Sequence, residues 1–113
     1  MIFIRNGGFQ GPDGTPLAGG LLMLQLSADA QALASDVQVI SRVPISIVLD
    51  GNGNAPTTAI WGNAELTPTD TFYLVNLYNS PSGGVCASVL VNPVVWVFAQ
   101  PMNTIVDLGS MPL

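Results

Sequence analysis

Short hydrophobic runs alternate with turn-forming residues along the whole chain. The runs are rich in Val, Ile, Leu and aromatic residues and are five to nine residues long, and 12 Gly and 9 Pro residues recur between them. Many short strands separated by such residues are typical of a β-sandwich or a β-barrel. Strands are predicted over residues 2–5, 21–27, 37–41, 44–50, 57–61, 71–79, 84–91, 93–99 and 103–108.

Alternation inside several runs predicts which side chains face a core. Successive side chains of a strand point to opposite faces, so apolar residues two apart share one face. Leu22, Leu24 and Leu26 form one such set. In another run, Ile45, Ile47 and Leu49 fall opposite Ser46, Val48 and Asp50.

The predicted fold is all-β, a single antiparallel β-sandwich of seven to nine short strands. No internal repeat or low-complexity linker divides the chain, so one domain is expected over residues 1–113. A chain of this length buries enough surface for one core without metal or disulfide support. Cys86 is the single cysteine, so an internal disulfide is excluded.

The segment from Ser27 to Asp36 is the one place where a helical turn competes with other structure. Its Ala and Leu residues favour a helix, and Ser27 is a suitable N-cap. Ten residues are marginal for a helix without tertiary support. A loop or one irregular turn is therefore the preferred prediction.

Turn residues fix several connections. In the segment 11–14, Pro12 presets φ and Gly14 suits a left-handed exit from the turn. The segments 50–54 and 81–84 are predicted as hairpin tips. A corner is predicted at Asn92-Pro93, because proline cannot donate to a ladder and restricts the residue before it to extended geometry.

Charge is scarce and unevenly placed. The chain has 2 Arg, 7 acidic residues, no Lys and no His, so 8% of it is charged and the net charge is -5. Eight of these charges lie in the first 70 residues, and only Asp107 follows. Without a basic cluster, the electrostatic basis of nucleic-acid binding is missing. Pro and Gly also interrupt the uncharged stretch 71–106, which excludes a membrane-spanning helix of about 20 residues.

Catalytic residues are not expected. With neither His nor Lys, only carboxylates remain as general bases, and Glu65 and Asp70 are the nearest pair of that kind. Solvated loop charges are the preferred interpretation of these two. Cys86 lies in an apolar run, where a thiol behaves as a small hydrophobic group.

No metal or cofactor is expected either. Asp50, Asn52 and Asn54 have the spacing that begins a calcium loop, but Ala55 replaces its glycine and Trp61 its final acidic residue. A glycine-rich hairpin explains the same residues. Zinc is excluded for want of Cys and His, and a phosphate cradle for want of Lys and of a following helix.

The runs 84–91 and 93–99 are apolar on both faces. A two-layer sandwich needs only one apolar face per strand, so the second face needs another surface to cover it. Cover by the domain's own loops is one explanation. The preferred one is a homo-oligomer, with a trimer favoured. Its predicted interface residues are Val89, Val91, Val95, Trp96, Val97 and Phe98.

An alternative function uses the aromatic residues. Core packing is the preferred interpretation for most of them. Trp61 nevertheless lies near carboxamides in the sequence, which suggests a loop that faces a glycan or a cell-surface ligand. The residues of this possible ligand-facing loop are Asn52, Asn54, Trp61 and Asn63.

A family resemblance adds to these expectations. The stretch GFQGPDGTPLAGG at 8–20 resembles the opening turn of prealbumin-like, or carboxypeptidase-regulatory-like, β-sandwich modules, which share an Ig-like architecture. VLDGNGN at 48–54, followed by the run to Val85, is similar to a later hairpin and strand of such modules. The sequence around Trp61-Gly62-Asn63 and the segment DLGSMP at 107–112 resemble small β-rich virion proteins of tailed bacteriophages.

The resemblance implies a non-enzymatic virion structural protein. It would decorate or cement a capsid, or belong to the tail, and its partners would be copies of itself and other virion proteins. A carbohydrate-binding or cell-surface-binding module of a tail fibre or adhesin is the alternative. Because the N-terminus has no pattern of a secretory signal, assembly in the host cytoplasm is expected.

Overall fold

The computed structural model describes residues 1–33, 39–79 and 94–111, and these residues form an all-β structure. The strands are β1 (Ile2–Asn6), β2 (Leu21–Leu26), β3 (Ala30–Ala32), β4 (Val39–Ile40), β5 (Ile45–Val48), β6 (Ala55–Ile60), β7 (Leu66–Thr67), β8 (Tyr73–Tyr78), β9 (Val94–Trp96) and β10 (Ile105–Asp107). Two single-turn 3-10 helices span Asn63–Glu65 and Leu108–Ser110. Within these ranges, no helix is long and apolar enough to cross a bilayer.

The strands form three sheets, with orders β5-β2-β8-β9, β10-β1-β6 and β4-β3-β7. The four-stranded sheet is antiparallel throughout. In the β10-β1-β6 sheet, β1 pairs antiparallel with β6 but parallel with β10. The parallel pair arises because the chain leaves β9 in one sheet and enters the other beside the start of β1. There the Asn103 N–H donates to the Met1 carbonyl at 2.9 Å.

The core lies between the inner faces of the two larger sheets. One hydrophobic cluster joins residues from both of them, and the small third sheet adds Ala30 and Leu66. The predicted inward set on β2 is confirmed, because Leu22, Leu24 and Leu26 are all buried. In the other predicted set, Ile47 and Leu49 are buried and Ile45 packs against the cluster from a half-buried position.

An aromatic group fills the part of the core next to β9. The Phe98 ring makes edge-to-face contacts with Tyr73 and Trp96, at centroid distances of 5.8 and 6.2 Å. Such pairs contribute about 0.5–1.5 kcal/mol each beyond the burial of their area. Trp96 and Phe98 are 1% and 0% exposed, so both belong to the core.

The turn at 11–14 has the predicted geometry. The Gly14 N–H donates to the Gly11 carbonyl at 3.0 Å, and Gly14 has a φ of 80°. The Asp13 carboxylate accepts the Thr15 N–H at 3.0 Å, and this bond is the main cause of its lowered pKa.

The turn at 50–54 also forms, but it does not close a hairpin. The Gly53 N–H donates to the Asp50 carbonyl at 3.0 Å, and the Asp50 N–H donates to the Asn54 carbonyl at 2.9 Å. The flanking strands, β5 and β6, belong to different sheets. This tight turn therefore carries the chain across the sandwich.

The segment from Ser27 contains a strand rather than the predicted loop. β3 pairs antiparallel with β4 and β7, which places Ala30 and Ala32 inward and Gln31 outward. Three residues are too short a window to show alternation, and pairing with distant residues outweighs the local helix preference of alanine. The predicted strand 84–91, the turn 81–84 and the corner at Asn92-Pro93 lie outside the described residues.

Substitution of Gly53 tests the turn that crosses the sandwich. Gly53 has a φ of 74°, and a Cβ added there would collide with the carbonyl oxygen of Phe9. We expect Gly53→Ala to lower the free energy of unfolding by about 3 kcal/mol, because strain and collision add. Gly51 has open space around it and is the matched control. In urea denaturation, Gly51→Ala should change stability by less than about 1 kcal/mol; equal effects of the two changes would contradict this account.

Candidate interaction surface

The four-stranded sheet has a second face that points away from the core. The alternation that buries Leu22, Leu24 and Leu26 turns the residues between them outward, and β8 shows the same alternation. All residues of β2, β5, β8 and β9 are uncharged, so this second face carries no formal charge. We call it the outer face.

Strand register places the residues of the outer face in three rows. Val48, Leu21 and Tyr78 form the first row, Ser46, Met23 and Asn76 the second, and Gln25, Leu74 and Val95 the third. Residues side by side on neighbouring strands contact each other, so each row is a continuous strip. A shallow groove of about 190 Å³ runs over the middle of the face and is also lined by Pro44.

Large apolar side chains on this face are in contact with solvent. Val48 is 63% exposed and Val95 is 48% exposed. Just beyond β9, Val97 is 52% exposed. Single exposed apolar residues are ordinary, whereas apolar residues grouped on one surface mark interaction sites. Here exposed valines lie at both edges of an uncharged face, which makes it the candidate interaction surface.

The outward side of the β10-β1-β6 sheet has a different chemistry, because it carries charged residues. Arg5 and Asp107 are register partners there, next to the apolar pair Phe3 and Ile105. The Asn6 side-chain amide donates to the Asp107 carboxylate at 3.0 Å, and this bond, followed by one from the Gly109 N–H, lowers the pKa of Asp107. Charge therefore distinguishes the outward sides of the two larger sheets.

The structure divides the predicted interface residues into three groups. Val95 and Val97 are exposed, as an interface requires. Trp96 and Phe98 are not surface residues, because the alternation that begins in β9 and continues just beyond it turns both side chains into the core. Val89 and Val91 lie outside the described residues.

The four residues of the predicted ligand-facing loop are not brought together. Asn52 and Asn54 precede β6, whereas Trp61 and Asn63 follow it. A strand of six residues spans about 20 Å, so two separate ends of the sheet are involved. The Asn54 carboxamide oxygen, moreover, accepts the Gly8 N–H at 2.7 Å and braces the neighbouring loop.

Asn63 is a buried structural residue, 2% exposed. Its side-chain oxygen accepts the Phe98 N–H at 2.8 Å, and its side-chain nitrogen donates to the Thr71 hydroxyl at 3.2 Å. The Asn63 N–H also donates to the Phe98 carbonyl at 2.8 Å. These bonds join the first 3-10 helix to the segment after β9. Sequence reasoning assigned Asn63 to a ligand because it could not show this burial.

The two carboxylates considered for catalysis do not share an environment. Glu65 is half-buried, with the Met1 ammonium 3.0 Å from one oxygen and the Gly62 N–H donating to the other at 3.2 Å. Asp70 is exposed on the turn before β8. Both oxygens of Glu65 thus have partners within the fold.

The residues with calcium-loop spacing form a self-contained turn. One Asp50 oxygen accepts the N–H groups of Asn52 and Asn54, at 2.8 and 3.0 Å. In the described part of the chain, no three Cys, His, Asp or Glu residues cluster as metal ligands. The geometry is that of the glycine-rich turn.

Comparisons of the chain with protein-family models, with curated proteins and with solved structures found no match.

Removal of the Asn63 side chain tests its structural role. Asn63→Ala would leave the buried Phe98 N–H without its acceptor, and we expect a loss of about 2–3 kcal/mol in the free energy of unfolding. Thr71→Val removes only the weaker partner at nearly constant volume and should cost about 1 kcal/mol. Urea denaturation of the two variants measures the difference. If Asn63→Ala kept wild-type stability, the network would not hold these segments together.

Alkaline pH tests the environment of Tyr73. The Tyr73 hydroxyl donates to the Trp61 carbonyl at 2.6 Å, and burial, followed by the Glu65 charge, raises its pKa to about 12. The phenol of Tyr73 therefore holds its proton more tightly in the folded state than in the unfolded state, where its pKa is about 10. This contribution, of about 3 kcal/mol, is complete below pH 10 and is lost as the pH rises to about 12.

The chain has no lysine to titrate in that window. We expect urea unfolding of the wild type at pH 8 and at pH 11 to show about half of this loss, and Tyr73→Phe to lose less over the same interval. An equal loss in both proteins would show that Tyr73 is not responsible.

Proposed function

We propose that this chain is a non-enzymatic structural protein of a tailed-bacteriophage virion, a capsid decoration or cement protein or a tail-associated component. It assembles into the particle through the outer face of its four-stranded sheet. The observation that supports assembly is the absence of charge across all four strands of that sheet, together with the exposure of Val48 and Val95.

The composition of the outer face fits a protein–protein contact. Charged residues are depleted from the centres of interfaces, whereas Met and Tyr are enriched there. Met23 occupies the middle row and Tyr78 an outer row, and Ser46, Asn76 and Gln25 supply neutral hydrogen-bonding groups. A partner can cover such a face without the desolvation of a buried charge.

The use of the carboxylates supports a non-enzymatic role. The Asp13, Asp50 and Asp107 carboxylates each accept backbone N–H groups of their own turns. Glu65 is held by the Met1 ammonium and the Gly62 N–H. These contacts stabilise turns. Because the chain has no His and no Lys, they leave no convergent acid–base pair among the described residues.

The virion part of the proposal rests on the resemblance of the turn and strand motifs to small phage proteins. A particle presents many copies of one site, so even a modest contact area gives stable occupancy when neighbouring copies reinforce each other. The glycan-binding alternative has no comparable support, because its four residues lie at two ends of β6 and one of them is buried.

Purified particles test this function. We expect the chain to be present at many copies in virions made from the genome that encodes it, as measured by quantitative mass spectrometry. Val95→Lys should reduce that copy number by about tenfold or more, because a lysine would be buried unpaired at the contact. Ile105→Lys is the matched control, since Ile105 is 55% exposed on the other sheet. Absence of the wild-type chain from washed particles would contradict the proposal.

A further inference from the structure

We infer that the outer face binds the outer face of a second copy of this chain, so that two four-stranded sheets stack across a two-fold axis. This inference names the partner of the surface on which the proposed function rests. Two properties of the face favour a second copy, its charge and its polar groups, and its area predicts how strongly the two copies bind.

Charge is the first of these properties. The chain has a net charge of -5, so two copies repel each other wherever their acidic residues approach. The four strands of the outer face carry no charge, so stacking through them brings no charged strand residue into the contact. Stacking through the other large sheet would instead bury Arg5 and Asp107, with their desolvation cost.

The polar groups of the face are self-complementary. Ser46 and Tyr78 present hydroxyl groups, and Gln25 and Asn76 present carboxamides. Each of these groups both donates and accepts hydrogen bonds, so the same kinds of group on an identical partner satisfy it. In a two-fold contact the same patch of both copies meets, so each of these groups faces a group that can both donate and accept.

The area predicts the strength of the pair. β2 and β8 have six residues each, β5 has four and β9 has three. With about 3.4 Å per residue and about 4.8 Å between strands, they cover roughly 300 Å² per copy. The two copies together bury roughly 600 Å², about half of the 1,200–2,000 Å² typical of a stable complex. The pair is therefore reversible in solution, and exposed Val97 beside β9 extends its margin. A ring of three copies would need two different complementary surfaces, whereas this stack needs only one.

Sedimentation equilibrium over protein concentrations from about 10 µM to 1 mM tests the inference. The full chain should shift from the 11.7 kDa monomer toward twice that mass as the concentration rises. Val48→Lys and Val95→Lys, at opposite edges of the face, should each weaken the dimer at least about tenfold. Ile105→Lys adds the same charge on the other sheet and should leave the dissociation constant unchanged. Circular dichroism and thermal melting identify any variant that fails to fold, and the other then decides.

Three results would overturn the inference: a wild-type monomer at 1 mM, a trimer, or a dimer that Ile105→Lys weakens and both face variants leave intact. The particle experiment separates this failure from that of the proposed function. If the wild type is monomeric but still enters particles, and the Val95→Lys variant does not enter them, the virion role stands and the outer face has a different partner. A dimer that depends on Val48 and Val95 but is absent from particles supports self-pairing and overturns the virion role.

Discussion

The burial of two inner sheet faces against each other is the interaction on which the rest of this structure depends. β2 and β8 lie at the centre of one sheet and contribute Leu22, Leu24, Val75 and Leu77 to the core. β1 supplies Ile2 and Ile4 from the opposite sheet. Since side chains alternate along a strand, each residue turned into this core fixes the outward direction of its neighbours. The chemistry of the outer face is therefore set by the same register that closes the core.

Connections between the sheets hold this arrangement in place. The turn at Gly53 carries the chain from one sheet to the other with a backbone conformation that glycine adopts without strain. On the other side, Asn63 ties the first 3-10 helix to the backbone of Phe98, and Phe98 packs against Tyr73 and Trp96. In these contacts Asn63, Trp96 and Phe98 serve the fold, although the sequence had suggested that they bind a partner or a ligand. The candidate for recognition is therefore an outward surface of the strands rather than these residues.

The candidate surface was only partly predictable from the sequence. The double apolar character of 93–99 indicated a second exposed face, and Val95 and Val97 lie exposed. Trp96 and Phe98 were assigned to the same interface, because apolar residues on both sides of a strand do not reveal which side is inward. The contribution of β2 was missed, since Gln25 interrupts its outward set and the sequence does not identify β8 as its neighbour. Pairing between distant strands supplies that information.

By itself the sequence determined the all-β class, most strand positions, the turn at 11–14 and the shortage of charge, because these depend on local alternation and composition. Tertiary structure alone decided that 50–54 crosses between sheets, that β10 runs parallel to β1, and that Ala30–Ala32 is a strand. It also decided that Asn63 is buried and Val95 exposed. The physical reason is that pairing partners and burial are set by contacts between residues far apart in the chain, which local patterns do not encode.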